Sequence, residues 1–175
     1  MARAETIPTR TQSLKILEAG HRAVRDLIAQ LPRRAVTTPG LGGGDWSPKD
    51  LVGHLASWEE RAIAALRAWE EGHAPAFDKE LWSTSTSALN RASFEAKAKL
   101  SAPEMMRRAD ATHAELMARI RGMSDQRWRR PGTSRGRKTV GERLGGILGG
   151  PGGSFRHAEA HLKDLRAFVD AHARA

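Results

Sequence analysis

At 175 residues the chain is long enough for one domain with a sizeable core, and 39% hydrophobic with 28% charged residues is ordinary for a globular protein. Having no cysteine, it offers no disulfide framework, no zinc ribbon and no thiol nucleophile. A net charge of +9 and a pI near 10.9 keep polyanions among its possible partners.

The first helical periodicity runs from Thr11 to Leu31, where Leu14, Leu17, Val24, Leu27, Ile28 and Leu31 recur at three- and four-residue steps before Pro32. Residues 1–10 carry no such pattern and read as a flexible start. After a loop through Pro39 and the glycines at 40, 42, 43 and 44, the second helix has the clearest start in the chain. Ser47 is a good N-cap, Pro48 suits the first helical position and Asp50 suits the first-turn dipole. Leu51, His54, Leu55, Trp58, Ala62, Ala65, Leu66 and Trp69 then share one face until Gly72, which points His54 into the interior.

Residues 73–100 are less regular: Pro75 opens an excursion, the Ser/Thr run from Ser83 to Ser87 favours a turn, and a helix is expected from about Ser87 to Lys99. Ser101 and Glu104 form a capping box for a third main helix, whose inward stripe is Met105, Ala109, Thr112, Leu116 and Ile120, with His113 near its edge. Residues 123–153 read as mostly loop, basic and then glycine-rich, with a short helix from Thr139 to Leu148. A fourth main helix is expected from near Ser154 to about His172, with Phe155, Ala158, Leu162, Leu165 and Val169 as its apolar arc. Neither strand alternation nor an internal repeat competes, so the fold class is all-α, a four-helix bundle with short additional helices in a single domain spanning 1–175.

His157 and His161 stand four apart on one edge of the last arc, so both imidazoles can reach one ion. His54, from a facing helix, can supply a third nitrogen. Three neutral imidazoles suit zinc, nickel or iron and leave positions for water and substrate, the pattern of an open catalytic site. A lone histidine on an apolar face is ordinarily a core residue; the pairing of the two halves is what points to a metal.

The run from Trp46 to Glu59, which reads W-S-P-K-D-L-V-G-H-L-A-S-W-E, resembles the helix-two signature of the DinB/YfiT-like superfamily. More narrowly it resembles the W-s-x-K-D-x-x-x-H-l-x-x-W-E pattern of the ClbS/DfsB branch, as do Trp69 to Gly72, Trp82 and the pair Leu89-Asn90. The resemblance covers about residues 11–172. It implies a four-helix bundle with a site at one end, in which His54, His157 and His161 hold a divalent metal. It also implies hydrolysis, or transfer of a low-molecular-weight thiol, on a small electrophile, in stress or toxin protection. Trp58 and Trp82 are then pocket walls and Asn90 a polar pocket group. Glu59 can act as an acid, a base or a support for a ligand if it turns inward, although Glu60 and Arg61 beside it favour a solvated position. The chain departs from relatives in its glycine-rich stretch from Gly145 to Gly153 and in lacking tyrosine. That stretch has no following Gly-Lys-Ser/Thr and is no phosphate loop, though the amides of Ser154 and Phe155 at a helix start could meet an anion.

Between Arg119 and Arg143, nine Arg/Lys stand against only Asp125 and Glu142. The alternative reading is therefore a non-catalytic binder of DNA or of a small molecule. Arg127, Arg129, Arg130, Arg135, Arg137 and Lys138 would contact phosphates and Trp128 would stack on a base. A homodimer is a further expectation, since bundles of this kind often pair. No apolar h-region opens the chain and no apolar run approaches the roughly 18 residues of a spanning helix, so the expected location is cytoplasmic.

Overall fold

The computed structural model describes residues 7–133 and 136–172, without the side chain of Trp82. Four long helices form the bundle: α1 (Arg10–Ala29), α2 (Pro48–Glu70), α5 (Ala102–Gly122) and α8 (His157–His172). Two 3-10 turns, Ala35–Thr37 and Leu41–Gly43, join α1 to α2. The short helices α3 (Ala76–Ser83), α4 (Thr86–Lys97), α6 (Asp125–Trp128) and α7 (Val140–Ile147) fill the two longer connections. There is no β-strand among the described residues.

α2 is the central element, packed principally on α5, while α1 lies along α8. Its start is fixed as the residues predict. The Ser47 hydroxyl accepts from the Asp50 amide at 3.3 Å, and the Asp50 carboxylate accepts from the Ser47 amide at 2.9 Å. Such a cap is worth about 1 kcal/mol. Fourteen of its 23 residues are buried, because it meets neighbours on more than one side. One core cluster joins Leu17, Leu66, Trp69, Leu116, Ile120, Val140, Leu144 and Phe155; a second joins Val24, Ile28, Leu51, Met105, Leu165 and Phe168. Each such side chain contributes roughly 1.5–3 kcal/mol by leaving water.

Three boundaries differ from expectation. α1 already begins at Arg10, which is not flexible: its guanidinium donates to Asp125 at 2.8 Å and to the Arg121 carbonyl at 3.0 Å. α3 is a helix where the sequence showed only an excursion; it has no side-chain cap and anchors through Phe77, against Trp58 and Leu89. α8 begins at His157, not near Ser154, because the chain first makes a tight turn in which Gly150 and Gly153 exchange backbone hydrogen bonds. Gly153 has φ of 111°, and Phe155, at φ 65°, takes a left-handed conformation rare for a bulky residue. Burial of the Phe155 ring against Trp128, with centroids 5.8 Å apart, offsets that strain. The amides of Ser154 and Phe155 therefore do not crown α8 and offer no helix N-terminus to an anion.

Candidate functional site

The turn that misplaces the start of α8 also aims its first residue. The His157 amide donates to the Leu148 carbonyl at 3.1 Å, so the first turn of α8 is stitched to the end of α7 and faces α2. There His54, the seventh residue of α2, meets it: the two Nε2 atoms are 2.9 Å apart. His161 completes the group, its ring centroid 5.3 Å from each of the other two. One ring nitrogen from each of the three lies within 4.8 Å of the others.

The setting keeps these rings neutral. Burial, and then the proximity of His157 and His161, push His54 down to about 3. Burial and His161 push His157 down to about 4, and burial also lowers His161, against the opposing pull of Asp164. A neutral imidazole carries one donor and one lone pair. His54 and His157 can thus share only one hydrogen between their facing nitrogens, and the buried Nδ1 of His54 has no hydrogen-bond partner among the described residues. Two nitrogens bound at about 2.0–2.1 Å on a tetrahedral ion stand about 3.3 Å apart. The His54–His157 separation of 2.9 Å is close to that value and all three nitrogens lie within 4.8 Å of one another, so the donor set could hold a divalent ion of the zinc, nickel or iron type.

These histidines form the floor of an open cleft of about 900 Å³. Trp58 and Phe77, packed edge to face at 5.8 Å, make one wall with Leu81, and Ile147 of α7 makes another. Asn90 lines the same cleft, its carboxamide oxygen accepting from the Trp58 indole N–H at 3.1 Å. Lys138, Arg143, Glu142 and Asp78 edge it, and an Arg143–Asp78 ion pair links α7 to α3. The structure thus brings His54, His157, His161, Trp58 and Asn90 together, while the side chain of Trp82 lies outside the described atoms.

Glu59 is not in this cleft. It turns inward, as its charged neighbours did not suggest, but toward α5, where it accepts from His113 Nδ1 at 2.8 Å. His113 is accordingly a partner of Glu59 and not a fourth member of the trio.

The basic segment separates into two kinds of residue. Trp128 is 4% exposed, enclosed by Phe155 and by Gly141, whose missing side chain makes room for the indole; it has no free face for a base. Arg127 is spent on the chain itself, donating to the carbonyls of Pro131, Gly132 and Trp69. Arg129, Arg130, Arg137 and Lys138 are exposed, and Arg135 lies outside the described residues. Among the described residues no helix is long and apolar enough to cross a membrane.

Solved structures share this architecture. An uncharacterised protein from Escherichia coli UTI89 superposes with a TM-score of 0.76 at 15% identity, covering 96% of this chain and 97% of its own. The colibactin self-resistance protein ClbS, solved in complex with a dsDNA, superposes with a TM-score of 0.72 at 15% identity, covering 97% and 99%. No curated protein matches the chain. The sequence model of the DinB superfamily matches residues 16–149, from α1 through the end of α7. The chain belongs to the DinB superfamily.

Proposed function

We propose that the chain is a metal-dependent enzyme that hydrolyses a small electrophile, or transfers a low-molecular-weight thiol onto it, in protection against a toxin or chemical stress. The observation that carries this reading is the convergence of three neutral imidazoles at the floor of a cleft large enough for a small molecule. An ion held by His54, His157 and His161 would supply a Lewis acid and a water of lowered pKa. Trp58, Phe77 and Ile147 give the cleft apolar walls that shield a reactive substrate from bulk water. With the Asn90 oxygen held by Trp58, its amide N–H groups are left to donate to a substrate oxygen.

A panel of epoxides, activated esters and lactones, offered to zinc-, nickel- or iron-loaded protein with and without glutathione, tests the reading. Turnover that falls at least about 100-fold with chelator and with His157→Ala would support it. Turnover indifferent to both would refute the metal role.

A second reading, DNA binding by the exposed Arg129, Arg130, Arg137 and Lys138, draws on that surface and on the dsDNA complex of ClbS. Four phosphate contacts would give a log–log salt slope near −3.6, at about −0.9 per contact. A duplex affinity insensitive to salt would exclude it.

A further inference from the structure

Behind the trio, on the side of α2 that faces α1, lies a second, smaller cavity of about 40 Å³. Most of its wall is apolar, from Leu17, Val24, Val52, Ala56 and Phe155, yet His21, Glu59 and His157 also line it. His157 is therefore a wall of both spaces: the cleft in front and this cavity behind.

The polar end of the cavity is rigidly built. An ionised carboxylate only accepts, so His113 donates its Nδ1–H to Glu59 at 2.8 Å. The His113 ring is stacked on His21, with centroids 4.0 Å apart and planes 5° from parallel. His21 Nε2 meets Asp110 at 3.1 Å, and Arg25 donates to the same carboxylate at 3.2 Å. Glu59 uses one oxygen on His113 and makes no other hydrogen bond to the described residues. A water needs roughly 10–15 Å³ of such space and two to four polar partners. The cavity exceeds that volume, and His157, Glu59 and His21 supply the partners.

We propose that this cavity holds ordered water bridging Glu59 and His21 to His157, so that Glu59 is a positioning residue for the metal ligand His157. The inference rests on the metal reading above. Ligating histidines are held by outer hydrogen-bond partners, often carboxylates, and here the partner acts through water. His113, and the Asp110–Arg25 pair behind His21, keep the two supports still.

The test uses the full-length protein and zinc alone. Zinc affinity is measured by calorimetry for wild type, Glu59→Gln and the cavity-filling Ala56→Val. Magnetisation transfer from water to the Ala56 and Val52 methyls is recorded on the metal-free wild type, and to the Val52 methyls on metal-free Ala56→Val. We expect water signals in wild type that vanish in Ala56→Val, and zinc binding weakened about 10-fold or more in both variants. Metal-free melting temperatures separate weakened ligation from misfolding, and a merely structural Glu59–His113 tie would leave the zinc affinity unmoved. No cavity water, or variants that melt normally and bind zinc like wild type, would overturn the proposal alone. A wild type that binds no zinc would overturn the metal reading and this one with it.

Discussion

His54 and His157, 103 positions apart in sequence, bring their Nε2 atoms to 2.9 Å in surroundings that hold both rings uncharged. A protonated imidazole at either position would face burial and a second ring at once. Acid should therefore unfold this protein early. The unfolded histidines take up protons as pH falls through about 6.5, while His54 and His157 resist until about 3 and about 4. The unfolded state binds more protons throughout that window, so stability is full above pH 6.5 and lost below it. Each ring contributes a loss approaching about 1.4 kcal/mol per pH unit. Urea unfolding midpoints between pH 7.5 and 5 should fall steeply, and His54→Leu should flatten the fall.

The same neutrality has a second consequence. At pH 7 His54 and His157 have almost no protons to surrender, so proton release on zinc uptake should stay below about one equivalent at pH 6 and rise with pH as the zinc-bound water ionises. Calorimetry in two buffers of different ionisation enthalpy measures this directly.

Trp58 donates its indole N–H to Asn90, and Trp58 is 9% exposed. Asn90→Leu should leave that N–H unpaired and cost about 1–3 kcal/mol. It should also remove the donors offered to substrate, lowering kcat/KM for any substrate found. Conversion to Asp, which keeps the acceptor, should restore stability without restoring those donors.

Gly141 permits the burial of Trp128. A Cβ added there would stand 2.5 Å from the indole Nε1, closer than real contacts allow. Gly141→Ala should cost about 1–3 kcal/mol by overpacking. Because Trp128 supports Phe155, and Phe155 precedes His157 by two residues, the same change should also weaken metal binding.

Much of this was legible in the chain. The Ser47-Pro48-Asp50 start fixed α2, and helical spacing put His54 on its inner face and His157 and His161 on one edge of α8. The resemblance supplied the expectation that the two halves meet. Glu59 was hidden because its direct neighbours, Glu60 and Arg61, point to a solvated face; its partner His113, inward on α5, was the available signal. Trp128 stands among arginines that suggest a polyanion surface, although it is the only large apolar residue between Met123 and Val140 and so the one that segment would bury. The start of α8 is not legible because the left-handed turn at Phe155 has no local sequence signature: the position calls for glycine, and tertiary packing holds phenylalanine there instead.

The most direct test of the metal centre is metal content by plasma mass spectrometry, on protein purified without a histidine tag or chelator. Wild type is compared with the His54→Ala, His157→Ala, His161→Ala triple variant. The account predicts near one equivalent of zinc, nickel or iron in wild type and none in the variant. Failure of wild type to carry or take up any of the three, or full occupancy of the folded variant, would contradict it.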